Sequence, residues 1–341
     1  MEEVRWKYGD DVRYAYAVGV IRVIETRSLS RERIERAADA PTGEEVLRIL
    51  AETSYAEYLP SLTRPEDYES FLEKEHQKAL NLLQELSEDP SLTDLFLYRF
   101  DFHNLKVALK ERFGGQDLAS AYVSFGLISP STTRAAVNEE DFSALPDWLA
   151  ESAEQAGRQF AERQDPKWID LLIDRMMYRL FVETSRMEGC LFLYDLFGKE
   201  IDLTNIVSLF RIRRSGGGRG LFQEAFIEGG SLSREFFLQL TDEPLEAISG
   251  HFAYTPYRDL VQNGWDYLNT NGSFMVFERM ARDLVLEYVR KANLIPFGIE
   301  PLIAYIHAKE NELRMIRTIM VGKLNNLQPT LIKEGLPRVY L

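Results

Sequence analysis

Apolar residues recur at intervals of three or four along most of the chain, and this spacing limits the fold more than any other feature. It is clearest over residues 68–86 and 302–324, where an apolar stripe runs through segments rich in charged or polar side chains. An α-helix has 3.6 residues per turn, so this spacing gathers apolar side chains on one face, whereas a strand requires strict alternation. Because convincing β-hairpin signals are lacking, the sequence predicts an all-α fold.

Signals for the ends of helices agree with that prediction. Three starts are predicted: the capping-box pairs Thr42–Glu45 and Thr63–Glu66, and the step from Asp165 to Pro166. Glycine-rich stops are predicted at residues 114–115, at Gly189 and over 215–220. These signals divide the chain into many helices of ordinary length.

The chain also repeats itself. The five letters of residues 28–32, SLSRE, recur at 231–235, and a looser echo, Leu-Ile-Ser, occupies 127–129. The run LFLY precedes Asp101 and Asn104 in one place, and Asp202 and Asn205 in another, with a degenerate third copy over 310–314. The offsets lie near one hundred residues, which indicates three copies of one helical unit.

We therefore predict three similar units, 1–115, 116–216 and 217–341, with approximate boundaries at the glycine-rich turns. Each would open with a short helix capped by a serine and close with two long helices. Three such wedges side by side would give a body of approximate threefold shape.

Charge and composition exclude several classes of function. The chain has 54 acidic and 40 basic residues, a formal net charge of −14, which disfavours binding to nucleic acid or directly to anionic lipid. Cys190 is the only cysteine, so neither an internal disulfide nor a multi-thiolate metal site is expected. We expect no membrane span, because no apolar run approaches the roughly 18–20 residues that one needs. Residues 1–10 lack the pattern of a signal peptide.

The candidates for chemistry are weak. Glu73 and His76 have metal-ligand spacing, but a di-iron helical bundle needs two such motifs. The pairs Asp101/Asn104 and Asp202/Asn205 each lie one turn apart on a helix face, which favours hydrogen bonds that fix helix packing over acid–base catalysis. We predict no catalytic residue, no metal and no cofactor.

A glycine-rich run at 215–220 lacks the Lys-Ser/Thr of a phosphate-binding loop, so a turn between units is the favoured interpretation. Four arginines surround it and form a basic cluster on an otherwise acidic chain. They are the predicted partner contacts: Arg211, Arg213, Arg214 and Arg219.

The clearest family resemblance lies at residues 296–325. This segment contains PFGIEPLIAY (296–305), KENE (309–312), Arg314 and GKLN (322–325). It resembles the closing signature of the C subunits of prokaryotic V-type (A-type) ATPases, whose eukaryotic counterparts are the d subunits. The repeated Asp-x-x-Asn segments, the length and the threefold repeat are also similar to that family, so the resemblance covers essentially the whole chain.

The resemblance implies a funnel of three similar helical domains that acts as a non-catalytic rotor part. Such a part would join the D and F subunits of the central stalk to the proteolipid ring and transmit torque for ATP-coupled proton or sodium transport. It would be peripheral, on the cytoplasmic side of the membrane, and attached through the ring. Two other functions stay open: a stand-alone helical-repeat adaptor in another complex, and an all-α enzyme with an unrecognised acid–base site.

Overall fold

Helices make up the regular structure of the part of the chain that the structure, a computed structural model, describes: residues 11–340, without the side chain of Lys167. No β-strand occurs in that range, so the all-α prediction is confirmed. The expectation that no signal peptide opens the chain falls on residues 1–10, outside the described residues.

Seventeen α-helices and six short 3₁₀ helices occupy the described range. The first nine α-helices are α1 (Ala15–Glu25), α2 (Arg31–Asp39), α3 (Gly43–Leu50), α4 (Glu69–Leu86), α5 (Pro90–Thr93), α6 (Leu95–Gly114), α7 (Pro130–Glu139), α8 (Asp147–Arg163) and α9 (Lys167–Met187). The others are α10 (Leu191–Arg214), α11 (Arg219–Ala225), α12 (Arg234–Leu240), α13 (Leu245–His251), α14 (Arg258–Asn271), α15 (Met275–Val289), α16 (Glu300–Leu324) and α17 (Pro329–Gly335). The 3₁₀ helices are Val12–Tyr14, Ser54–Glu57, Leu59–Ser61, Pro65–Tyr68, Ala119–Ala121 and Arg290–Leu294.

The two predicted apolar stripes form α4 and α16, and most of the predicted stops are helix ends. Gly115 ends α6 in the left-handed region at φ 64°, and Gly189 follows α9 at φ 69°. Helix α10 ends at Arg214, directly before the glycine-rich run. Glycine adopts positive φ without the steric penalty of a Cβ atom, which explains these stops.

The predicted starts have mixed outcomes. Thr42 caps α3, with its hydroxyl accepting a hydrogen bond from the backbone N–H of Glu45 at 3.4 Å, as predicted. The prediction for Thr63 is wrong, because Arg64 is the N-cap and its N–H donates to Asp67 Oδ2 at 3.2 Å. Pro65 follows as the first residue of that 3₁₀ helix, and its fixed φ moves the start by one residue.

The start near Pro166 is displaced in the same way. The sequence predicted Asp165 as the cap and Pro166 in the first turn. Helix α9 instead begins at Lys167, so Pro166 lies at the N-cap and the start is one residue later than predicted. No side chain caps this end of the helix.

One compact unit contains Asp89–Ile248 of the described residues. Within it α9 packs against α6, α8 and α10, and the rings of Phe96, Phe181 and Phe197 are buried between these helices. The guanidinium carbon of Arg99 lies 5.6 Å from each of the three ring centroids, while its Nη2 pairs with Glu200 Oε2 at 2.7 Å. A cation over aromatic faces and a carboxylate partner together fix these long helices against one another.

The second unit is discontinuous and, among the described residues, combines 11–88 with 249–340. Helix α16 runs through it and packs against α1, α2, α3, α4, α15 and α17. Leu313, Ile316 and Met320 of α16 lie in one buried cluster with Phe71 and Leu72 of α4. The beginning and the end of the chain therefore share one core.

The predicted glycine-rich boundaries at 115 and 216 both lie inside the unit Asp89–Ile248. The division into repeats 1–115, 116–216 and 217–341 stays a prediction about sequence repeats, as does their funnel-like arrangement.

Glycine substitutions in two helices of the second unit should have opposite effects on stability. An ideal Cβ on Gly264 of α14 would lie 2.6 Å from Cδ1 of Phe277 on α15, whereas one on Gly19 of α1 meets nothing within 4 Å. We expect Gly264→Ala to lower the free energy of unfolding by about 1–3 kcal/mol through overpacking. Gly19→Ala should raise it by about 0.5–1 kcal/mol through helix propensity. Urea denaturation measures both, and an equal sign for the two variants would contradict this packing.

Candidate docking site on three serine-capped helices

Three short helices begin in the same way. The side-chain hydroxyl of the N-cap serine accepts a hydrogen bond from the backbone N–H three residues later, at 3.1–3.3 Å in each case. Such a cap satisfies one of the free N–H groups at a helix start. The prediction that these serines cap short helices is confirmed for α2 at Ser30, α7 at Ser129 and α12 at Ser233.

A buried acid–amide pair on α6 holds the segment that leads into α7. Asp101 is fully buried, and its two carboxylate oxygens accept hydrogen bonds from the backbone N–H groups of Leu127, at 3.1 Å, and Ile128, at 3.0 Å. One turn later Asn104 donates to the carbonyl of Val123 at 2.8 Å and accepts from its N–H at 3.0 Å. The pair thus fixes the approach to α7 through four hydrogen bonds.

The second pair, on α10, makes the same contacts ahead of α12. Asp202 accepts from the backbone N–H groups of Ser231, at 3.0 Å, and Leu232, at 3.1 Å. Asn205 donates to the carbonyl of Ile227 at 2.8 Å and accepts from its N–H at 3.0 Å. The structure therefore places all four residues in structural roles, as the sequence favoured.

A glycine is required beside each aspartate. A Cβ atom on Gly126 would run into the Asp101 carboxylate, 2.7 Å from its Cγ, and one on Gly230 would lie 2.9 Å from Cγ of Asp202. Both glycines stand three residues before the capping serine, Ser129 in one case and Ser233 in the other. This spacing is a signal that sequence analysis missed. We call each aspartate, asparagine and glycine set, with the segment it binds, a clamp.

A third contact of this kind joins the two ends of the second unit. The backbone N–H of Leu29, directly before Ser30, donates to Oε2 of Glu312 on α16 at 2.6 Å. The degenerate third copy predicted at 310–314 thus supplies an acid at the place where the other copies have an aspartate. Arg27 stands three residues before Ser30, where the other two copies have glycine.

Glu312 also belongs to a buried ionic network. Lys309 Nζ lies 3.0 Å from Glu312 Oε1 and 3.0 Å from Glu75 Oε1, and all three side chains are nearly buried. Tyr55 donates to Glu312 at 2.5 Å and Tyr58 donates to Glu75 at 2.8 Å. Four partners thus engage two buried carboxylates, as buried charges require.

Burial alone would lower the pKa of Lys309, but the carboxylates of Glu312 and Glu75 raise it well above its ordinary value. The pKa of Tyr55 is likewise raised, by burial first and then by the negative charge of Glu312. Lys309 therefore stays charged and Tyr55 stays protonated across the physiological pH range. The network works as a fixed cross-link between α16, α4 and the segment that contains Tyr55.

Corresponding positions of the three short helices have the same burial. The fourth helical residue is fully or nearly buried in each, namely Ile34, Thr133 and Phe237. The second helical residue is exposed in each, namely Glu32, Ser131 and Glu235. In each helix an exposed second residue therefore lies on the opposite side from a buried fourth residue, which suits a contact surface.

The four predicted partner contacts lie around the end of α10. Arg211 and Arg214 are exposed in its last turn. Half-buried Arg213 donates from Nη2 to the carbonyl of Glu243 at 2.8 Å, and exposed Arg219 pairs with the neighbouring Asp242 at 3.4 Å. The structure thus gives Arg213 and Arg219 a common loop to brace.

The glycine-rich run around these arginines terminates a helix. Gly216 has φ 80°, and the N–H of Gly217 donates to the carbonyl of Ile212 at 2.8 Å. A Cβ on Gly217 would lie 2.7 Å from Ile212 Cγ2. The helix end therefore explains Gly216 and Gly217.

Over residues 11–340 the structure has neither a cluster of metal ligands nor a membrane-spanning helix. His76 Nε2 lies 3.4 Å from Glu310 Oε1, and no group of three potential ligands gathers anywhere between residues 11 and 340. None of the helices in this range combines the length and the apolar character needed to cross a bilayer.

The sequence is similar to known proteins over nearly its whole length. A sequence model of the family "ATP synthase (C/AC39) subunit" matches residues 17–335. The C subunit of the V-type sodium ATPase of Enterococcus hirae is 25% identical, with 94% of this chain and 97% of that protein covered. The C subunits of the A-type ATP synthases of Methanosarcina acetivorans and Methanococcoides burtonii are 24% and 22% identical. They cover 95% and 96% of this chain, and 92% and 95% of their own length is covered.

Removal of a clamp aspartate should destabilise the fold strongly. Asp202→Ala leaves two backbone N–H groups without their acceptor, so we expect the free energy of unfolding to fall by about 3 kcal/mol. Asp195→Ala, at an exposed position of the same helix, should change it by less than about 0.5 kcal/mol. Chemical denaturation compares the two, and equal effects would contradict the role of the clamp.

Asp101 should make stability depend on pH. Burial raises its pKa from the ordinary 3.8 to about 6, against the opposing effect of its two backbone donors. The folded state then holds the proton more tightly than the unfolded state does. The contribution of Asp101 to the free energy of unfolding is therefore greatest below pH 4 and is lost as pH rises through 6. The free energy of unfolding of the wild type, minus that of Asp101→Asn, should fall by about 2 kcal/mol from pH 4 to 7. A flat difference in denaturation measurements over this range would refute the shift.

Proposed function

Because the chain belongs to the ATP synthase (C/AC39) subunit family, we propose that it is a non-catalytic rotor component of a V/A-type rotary ATPase. It acts as a socket that joins the D and F subunits of the central stalk to the proteolipid ring of the membrane sector. It transmits torque for ATP-coupled proton or sodium transport, and it is peripheral, on the cytoplasmic side, attached through the ring.

The observation that carries this proposal is a contact that recurs three times, in the two clamps and between Glu312 and Leu29. Acids on α6, α10 and α16 hold the approaches to α7, α12 and α2 through the same kind of backbone hydrogen bond. A ring of identical subunits offers the same contact many times, and three similar short helices suit such a surface. Because the three copies are not identical, another surface of the molecule can form an asymmetric seat for a shaft.

A part that transmits torque must resist twisting, and the long helices support that role. Helices α6, α9 and α10 are locked by Arg99 over three buried phenylalanine rings, and α4 packs along α16. Interiors packed in this way have low compressibility and carry strain with little deformation.

The buried carboxylates also support a non-catalytic role. Both oxygens of Asp101 and of Asp202 accept backbone N–H groups, and Glu312 is engaged by Leu29, Tyr55 and Lys309. Because these buried oxygens face donors of the chain itself, they are poorly placed to contact a substrate. The four arginines at the end of α10 add a basic contact for an acidic partner, with Arg211, Arg214 and Arg219 exposed and Arg213 bracing the loop.

Two relatives carry names that differ in the direction of the reaction, an ATPase in one organism and an ATP synthase in another, and only the first name states an ion, sodium. The proposal therefore includes both proton and sodium transport, and both synthesis and hydrolysis of ATP. That choice belongs to other subunits of the complex.

Affinity purification of the tagged chain from detergent-solubilised membranes tests the proposal directly. We expect mass spectrometry to identify a proteolipid together with central-stalk and catalytic subunits. Recovery of the chain alone, from membranes in which another tagged subunit retrieves an intact complex, would refute the rotor role. Recovery with unrelated proteins would favour an adaptor in another complex.

Charge reversal on the serine-capped helices should separate the two attachments. The exposed residues Glu32 and Glu235 occupy corresponding first-turn positions of α2 and α12. We expect the double variant Glu32→Lys/Glu235→Lys to lower retention of the proteolipid ring several-fold while stalk subunits remain bound. Asp147→Lys, in the exposed first turn of α8, has the same cost against the helix dipole and should retain the ring. Quantitative mass spectrometry measures the ratio, and unchanged retention of both partners would contradict the proposed surface.

A further inference from the structure

Three arginines gather where α15 and α16 pack together. Arg279 and Arg282 of α15 are half-buried, and Arg314 of α16 is exposed. Burial lowers the pKa of Arg282, and the positive charges of Arg314 and Arg279 lower it further. Glu278 and Asp283 act in the opposite direction but do not cancel this effect. The three cations therefore repel one another at a site where water is partly excluded.

No carboxylate closes on this cluster within the described residues. Arg282 and Arg314 form neither a hydrogen bond nor an ion pair there, and Arg279 reaches only Asp283, with 4.0 Å between Nη1 and Oδ2. The other oxygen of Asp283 accepts the backbone N–H of Arg338 at 2.7 Å. Nε of Arg279 and Nε of Arg282 are buried without an acceptor. Buried donors left open in this way are rare and costly in folded proteins.

A neighbouring arginine shows how this chain treats such a group elsewhere. Arg317, less than one turn after Arg314 on α16, pairs with both oxygens of Glu69, at 2.8 Å from Nε and 2.8 Å from Nη2. Among the described residues an acid thus forms an ion pair with Arg317, and none forms one with Arg282 or Arg314. The three clustered arginines and the lack of a close acid partner point to an anion that comes from outside the chain.

Carboxylates of a protein are the anions that these observations favour. The fork of a guanidinium matches a carboxylate in a bidentate pair, and arginine is frequent among residues that dominate binding energy at protein interfaces. The chain as a whole carries a net charge of −14, so an acidic segment is repelled by most of its surface and attracted at this cluster. Such a contrast fixes where the segment docks. The matched family also places the chain among the subunits of a larger enzyme.

We propose that Arg279, Arg282 and Arg314 form the docking point for an acidic segment of a neighbouring subunit, whose carboxylates pair with the Nη groups of these arginines. This inference rests on the proposed function and deepens it, since it gives the chemistry of one partner surface.

Zero-length cross-linking tests the contact in the intact complex. Arg314→Lys keeps the charge and provides an amine that a water-soluble carbodiimide joins to a carboxylate in direct contact. We expect mass spectrometry to find the introduced amine linked to an aspartate or glutamate of another subunit. Arg317→Lys is the matched control, because its expected product is an internal link to Glu69.

The control separates the possible failures. If the Arg317→Lys complex keeps its subunits and forms the internal link, the absence of any intermolecular product from the Arg314→Lys complex overturns the docking point. Products confined to this chain, such as a link to Glu310, have the same meaning. Loss of the whole complex in the wild type would instead refute the proposed function.

Stability and retention should move in opposite directions at Arg282. Arg282→Met removes one of the repelling charges and keeps the apolar stem, so the melting temperature of the isolated chain should stay equal or rise. Retention of the acidic subunit should fall several-fold. In the control Arg317→Met, the melting temperature should fall while retention stays complete.

Two results would overturn the inference. A lower melting temperature for Arg282→Met with full retention would make the cluster an internal support. A rise in the melting temperature of the wild type with pyrophosphate, absent in Arg282→Met, would indicate a site for small phosphates.

Discussion

Carboxylates that are buried and bound to backbone N–H groups are the constraint on which the rest of the structure depends. Removing such a charge from water is unfavourable unless donors surround it, so each acid determines where its donors must lie. Asp101 and Asp202 each draw the segment before a short helix against a long one. The approach is so close that only Gly126 and Gly230 fit beside them. The short helices are thereby held with part of their first turn exposed.

The third contact shows how a repeat keeps its geometry while its chemistry changes. Glu312 bonds to the N–H of Leu29 as the aspartates bond to Ile128 and Leu232, but it also meets Lys309 and Tyr55. The charge is balanced here by a lysine inside the core. Copies that differ in this way hold similar surface helices on unlike interiors, which agrees with a part that contacts both a symmetric and an asymmetric partner.

Local signals were sufficient to predict the all-α fold, the apolar stripes of α4 and α16, the three serine caps and the structural role of the Asp-x-x-Asn pairs. The capping box at Thr63 failed because Pro65 fixes the backbone one residue later and Asp67 takes the expected role of Glu66. The contact of Glu312 with Leu29 spans 283 positions of sequence, so no local pattern could reveal it. Nor could composition show that Arg282 and Arg314 form no ion pair with an acid of the described residues. Acidic residues are abundant, and only packing decides which of them come close.

The discontinuous second unit has a consequence for synthesis of the protein. Residues 11–88 cannot complete their core until α16 leaves the ribosome, because Phe71 and Leu72 are buried against side chains of that helix. Translation adds about 5–20 residues per second, so these faces stay open to solvent for on the order of 10 s. The described residues of the other unit, 89–248, are contiguous and are free to fold in that interval. The nascent chain thus exposes the apolar faces of residues 11–88 for the longest time during its synthesis, and exposed apolar surface of this kind favours aggregation.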